Sequence, residues 1–360
     1  MSDATKPPGD PTGRRLARQR ALLLAEAGTV ARTLEVLLKR ANREAAPRSE
    51  LVKEIARLEA IELQRSYGRI EPRNRFKTAT HRSILAERHR SVLHIDEGGK
   101  SNPEHLVPAR STYFSLAGIA LPEEKIDDYK AAADEIKLEF FKRTDITFHE
   151  PQMRERRDWF AFGNDVARQE EFDKAIVKLL EDTDFQVFGV GVRKEAFQRD
   201  FVDVGLDPYL PTDVYTLAIL MLLERYIDFL SCRSTPRLAR VIFESQGTLE
   251  DAIHQLEYAR ALVDGSQWVA GKSFRVWLEP GLTFRPKCGS DPMEIADMFA
   301  RDLFEWVRSE CTNAPKRWDL FSRKTYCRGD GLMGKFGVKI FPDSDIRDRI
   351  DAHRAKCGAA

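Results

Sequence analysis

The chain has 360 residues, 42% of them hydrophobic, which suits one large domain with a real core plus an extension. No apolar run approaches the roughly 18 to 20 residues of a membrane span. The opening MSDATKPPGDPTGRR has no apolar stretch of the kind a secretory signal carries, and Cys232, Cys288, Cys311, Cys327 and Cys357 form no C-x-x-C, so neither a disulfide framework nor a zinc site is expected and a cytoplasmic location is.

The net charge of +1 conceals a split: residues 1 to 92 carry 20 Lys+Arg against 11 Asp+Glu, and the remainder is acidic. Such asymmetry fits a basic arm that meets a polyanion, or one that docks on the acidic body of its own chain. Residues 1–13 are polar and rich in Pro and Gly and are expected to be disordered. Leu23, Ala27, Val30, Leu34, Leu37 and Ala41 then recur at steps of four and three, which predicts a helix with one apolar seam. Pro47 breaks it, and Leu51, Ile55 and Leu58 begin a second seam. The expectation is an antiparallel helical hairpin, 14–45 and 49–66, packed on itself, on the body, on a second copy as a homodimer, or on a partner protein. The stretch RSYGRIEPRNRFKTATHRSILAERHR (65–90) holds eight Lys+Arg against two acids, with Tyr67 and Phe76 interleaved. Its Arg73, Arg75 and Lys77 are candidates for phosphate contacts and its aromatics for base stacking; a solvated linker is the alternative.

From residue 91 strands and helices alternate. SVLHID (91–96), TYFSLAGIAL (112–121), FQVFGVGV (185–192), ARVIFES (239–245) and SFRVWLE (273–279) read as strands. Helices are expected at 122–143, near 168–182, and at 212–232, 248–263 and 291–309. The sum is an α/β domain, a mixed sheet of about five strands flanked by helices over 91–343, followed by a tail at 344–360.

Two of the strands end in acids. Asp96 is followed by Gly98 and Gly99, and Glu244 by Gly247, the context in which an α/β sheet places its site. Asp297 lies in the apolar stripe of a helix with Met293, Ala300 and Phe304, a costly position unless a metal or an ion pair, such as one with Arg301, compensates it. Three such acids can converge on one sheet edge. Mg²⁺ or Mn²⁺ would relieve their repulsion there and activate a water against a phosphodiester. Glu97 should face away from Asp96, because strand side chains alternate. His149, in ITFHEPQMRERRDWF, is a candidate to assist the attacking water or the leaving group, with Arg154 as a phosphate contact. Asp251 could complement a helix dipole or lean into the same site.

These blocks resemble domain of unknown function 3800, a bacterial family thought to have an RNase H-like fold. HIDEGG resembles its strand ending in Asp-Glu-Ser-Gly, and FHEPQMRERRDWFAF its block with His149 and Arg154. VIFESQGTLEDAI resembles its strand with Glu244, Ser245, Glu250 and Asp251, MEIADMFARDL its helix with Asp297, and KTYCRGDGLMGKFGVKIFP its closing segment. Gly98 stands where that family has Ser, which removes a hydroxyl that could orient the first carboxylate, and Glu294 adds a charge one turn before Asp297. The resemblance implies an RNase H-like domain, here preceded by the hairpin and basic linker (14–90). The expected activity is hydrolysis of nucleic acid by a two-metal carboxylate site, with Asp96, Glu244 and Asp297 as Mg²⁺ or Mn²⁺ ligands and Asp251 as a further candidate. The competing expectations are a non-catalytic scaffold assembling through 14–66, and a nuclease silent until a partner arrives.

Overall fold

The computed structural model describes residues 90–99, 112–203, 214–232, 238–266, 269–287, 289–327 and 337–350. Residues 1–13, the helical hairpin, the basic stretch with Arg73, Arg75 and Lys77, and the last ten residues of the tail lie outside the described residues.

Six strands form one mixed sheet among the described residues: β1 (Arg90–Gly99), β2 (Tyr113–Pro122), β3 (Gln186–Arg193), β4 (Leu238–Glu244), β5 (Leu278–Arg285) and β6 (Val338–Phe341). Their order is β5-β4-β1-β2-β3-β6. β2 is antiparallel to both β1 and β3, while β4 is parallel to β1, β5 to β4 and β6 to β3. The nearly continuous apolar runs of β1 and β2 follow from their central position, covered on both faces.

The principal helices are α1 (Ile126–Phe141), α2 (Glu150–Glu155), α3 (Val166–Asp182), α4 (Val214–Cys232), α5 (Thr248–Val263), α6 (Gly271–Trp277), α7 (Met293–Arg308) and α8 (Trp318–Arg323). Alternation along the strands divides the core into two layers. Val92 and Ile242 belong to one layer with Met293, Phe299 and Trp306 of α7. Leu93, Ile95, Val241 and Phe243 belong to the other, with Leu222 and Tyr226 of α4 and Tyr258 of α5. Among the described residues no helix is long and apolar enough to cross a membrane.

Two expectations need correction. SFRVWLE does not form a strand from 273: Gly271–Trp277 is helical, and the strand begins at Leu278. Phe274 and Leu278 are both fully buried and four residues apart, a spacing that a short apolar run does not distinguish from alternation. The sheet also gains β6, whose four residues are too few to carry a clear period.

Helix α7 lies against the middle of the sheet, and thirteen of its sixteen residues are buried. Three of those are acids, Glu294, Asp297 and Asp302, so each must find partners inside the protein. Glu294 accepts from Lys137 Nζ (2.8 Å), the Tyr129 hydroxyl (2.8 Å) and the Phe148 amide (2.7 Å). Asp302 takes two nitrogens of Arg317, at 2.9 and 3.1 Å. The charge that Glu294 adds near Asp297 therefore goes into a buried pair that ties α1 and the 148 loop to α7. Burial nonetheless lifts its carboxyl to about 7, against the pull of Lys137.

Candidate functional site

The parallel pairing of β1 with β4 sets Ile95 beside Phe243, so Asp96 and Glu244 come next on adjacent strands. Both follow the alternation that puts Val92 and Ile242 on the α7 face. Asp297 reaches the same place from α7, where 8% of its surface remains exposed. The three predicted carboxylates do meet, and what lies between them is a lysine. Lys287 Nζ stands 3.0 Å from Asp96 Oδ2, 3.0 Å from Glu244 Oε2 and 3.0 Å from Asp297 Oδ1.

Lys287 comes from the loop that follows β5. Glu244 pairs with Arg285 at the end of that strand, and the Ser245 amide donates to the Arg285 carbonyl (2.9 Å), which brings the loop over the carboxylates. Burial opposes charge on the lysine, but Asp96, Asp297 and Glu244 outweigh it and raise its pKa. Burial also pushes the Asp96 carboxyl well above its usual range; Lys287 opposes this, and Asp297 and Glu244 add to it. Three carboxylates facing one ammonium are short of positive charge.

The expected compensation of Asp297 by Arg301 does not form. Arg301 turns to Glu305, and Asp297 instead takes Lys287 and the Glu150 amide, which donates to its Oδ2 at 2.7 Å. That amide follows His149, which occupies the N-cap position of α2 and so sits one residue from an anchor of the carboxylate cluster. Arg154 pairs with Glu150 (3.4 Å) and Glu155 (2.9 Å) and stays 44% exposed. Beside it a cavity of about 360 Å³ is lined by Arg154, Arg156, Arg301, Arg308, Lys316 and Arg317, each ion-paired with one of the acids Glu150, Asp173, Asp302 and Glu305 of the same wall. Arg317 is close enough to Asp297 for their charges to interact, so the cations of this cavity adjoin the Asp297 side of the cluster.

Asp251 does not join. It accepts from Ser245 Oγ (2.7 Å) and the Gln246 amide (3.0 Å), closing the turn between β4 and α5. Glu97 is drawn to the opposite layer, where it accepts from the Tyr215 hydroxyl on α4. Gly98 has a packing reason: a Cβ there would collide with Ser115 Oγ and lie 2.6 Å from the Ala300 carbonyl. Ser115 itself lies 3.1 Å from that carbonyl and donates to it, so a neighbouring strand supplies a hydroxyl at the place where the resemblance expects one.

Beneath the cluster, two residues before Asp96, His94 is fully buried with Nε2 3.6 Å from Asp291 Oδ1. Burial lowers its pKa to about 4; Asp291 opposes this and Arg285 adds to it.

Lys287 was not among the expected residues. The signal was available, since it follows a strand end adjacent to that of Glu244 and precedes Asp297 by ten positions, but a search for acids passes over a cation. Among the described residues no group of three or more His, Cys, Asp or Glu side chains, as they stand, could hold a metal ion. The chemistry of the donors fits a hard divalent cation, since all three are carboxylates. Their spacing fits an ammonium, because Mg²⁺ needs oxygens at about 2.1 Å. No family model, no curated protein and no solved structure matches the chain.

Proposed function

We propose that the protein is a Mg²⁺- or Mn²⁺-dependent phosphodiesterase acting on nucleic acid, built on an RNase H-like scaffold. One observation carries this reading: Asp96, Glu244 and Asp297, from two strands and a helix, aim three carboxylate oxygens at a single cationic point. Bound by these residues, the metal would supply the charge that activates a water and stabilises the leaving oxygen.

The chain's own groups divide the remaining work. His149 moves a proton at the attacking water or the leaving group. Arg154 holds a phosphate through its exposed guanidinium. The neighbouring cavity, with its six Arg and Lys side chains against four acids, accommodates the continuing backbone, and Arg73, Arg75 and Lys77 of the basic stretch supply further phosphate contacts. Asp251 keeps the β4–α5 turn closed rather than binding metal. The order β3-β2-β1-β4-β5, with β4 parallel to β1 and β5 parallel to β4, supports the RNase H-like assignment.

Lys287 favours a second reading, a non-catalytic scaffold whose carboxylates are neutralised from within and which assembles through residues 14–66. A cleavage assay separates the two. Wild type, Glu244→Gln and Asp297→Asn are offered single- and double-stranded RNA, DNA and hybrid with Mg²⁺ or Mn²⁺. Metal-dependent cutting by wild type alone supports the enzyme; salt-sensitive binding by all three without cutting supports the scaffold.

A further inference from the structure

We propose that Lys287 is an internal occupant of the cation site, which a divalent metal must displace before the site can work. This rests on the reading of Asp96, Glu244 and Asp297 as metal ligands.

The ammonium makes three contacts of 3.0 Å, one to each carboxylate, and takes the point at which their oxygens converge. It cannot share that point with an ion whose ligands lie about 2.1 Å away. Held on the chain, it competes at a high effective concentration and loses little translational freedom on binding. Its side chain is 11% exposed, so it lies at the mouth of the cluster, and its four-carbon stem allows the head to leave without moving the strands. Once out, a lysine head is in water, where lysines ordinarily reside.

The exchange is favoured by charge. One ammonium leaves three clustered carboxylates undercompensated, and a divalent ion brings twice the charge. Without either cation the acids would repel one another across two strands and a helix. Lys287 thus keeps the cradle assembled between metal-binding events, and metal affinity is reduced by the fraction of molecules in which the lysine occupies it.

Two measurements test this on the full-length chain, with Mn²⁺ alone as the probe. The first is calorimetric titration of wild type and Lys287→Met; the variant is expected to bind Mn²⁺ at least about tenfold more tightly. The second uses wild type only: amine acylation at Lys287, read by peptide mass spectrometry, should rise severalfold at saturating Mn²⁺. If wild type binds Mn²⁺ but the variant binds no more tightly and Lys287 labelling is unchanged, displacement is overturned while the metal-site reading stands. If neither protein binds Mn²⁺, both fall. Should Lys287→Met fail to fold, the labelling decides, and no rise at saturation overturns the proposal.

Discussion

The Glu150 amide donates to Oδ2 of Asp297 at 2.7 Å, and the Phe148 amide donates to Oε1 of Glu294 at the same distance. Two acids one helical turn apart therefore clamp the backbone on either side of His149. The backbone that carries His149 is thus held by α7, the same helix that brings Asp297 to the carboxylate cluster.

If His149 serves proton transfer, His149→Ala should lower kcat by on the order of 100-fold. Its melting temperature should change little, since the clamping bonds are made by the flanking amides. A kcat close to that of wild type would remove His149 from the reaction.

Lys137 and Glu294 are both fully buried, and their ion pair is 2.8 Å long. Lys137→Met strands the Glu294 carboxylate and is expected to cost about 3–5 kcal/mol. The double variant Lys137→Met/Glu294→Gln should recover much of that loss, because the amide carries no charge while its oxygen can still accept from the Phe148 amide and its NH2 can donate to the Tyr129 hydroxyl oxygen. Urea unfolding of the two variants and wild type measures both effects; equal losses in single and double variants would refute the pairing argument.

Gly98→Ser restores the residue expected from the resemblance, yet it is predicted to destabilise. The added Cβ would meet the Ala300 carbonyl at 2.6 Å and Phe304 Cβ at 2.9 Å, so α7 must move away from β1. The expected cost is about 1–3 kcal/mol. Because the displaced helix carries Asp297, Mn²⁺ affinity should fall as well. A Gly98→Ser protein with wild-type stability would show that the contact between α7 and β1 yields readily.

His94 supplies a pH dependence. Its ordinary value of 6.5 drops to about 4 in the folded protein, chiefly through burial. Between these values the unfolded chain binds more protons than the native one, so stability rises with pH across this window and is lost as pH falls from 6.5 towards 4. At about pH 5 this group alone costs about 2 kcal/mol relative to about pH 8. The stability difference between wild type and His94→Gln should shift in the variant's favour by that amount over the same interval. An unchanged difference would mean that His94 can take up its proton while folded.

The carboxylates were legible in the sequence because each obeys a local rule: Glu244 ends its strand, Asp96 ends the apolar run of β1 although the strand itself continues to Gly99, and Asp297 interrupts an apolar helical stripe. Helix α5 lies at its expected bounds for the same reason, since its period is long enough to read. What escaped depends on non-local pairing. Nothing near Glu294 in sequence announces Lys137, 157 positions earlier, as its partner. Arg301 offered the right charge at the right helical spacing for Asp297, and lost to a lysine from one loop and an amide beyond another. Gly98 read as a lost hydroxyl because the serine that fills its space lies on the neighbouring strand.

The parallel pairing of β1 with β4 has a consequence for biosynthesis. Antiparallel neighbours can form as the chain emerges, but Asp96 waits for β4 to bring Glu244 and then for α7 to bring Asp297, near the end of the domain. A growing polypeptide thus carries the first acid long before it can assemble the cradle. If the assembled cradle cuts polynucleotides, a nascent chain that has not yet exposed α7 lacks its third carboxylate and cannot cut the message being read.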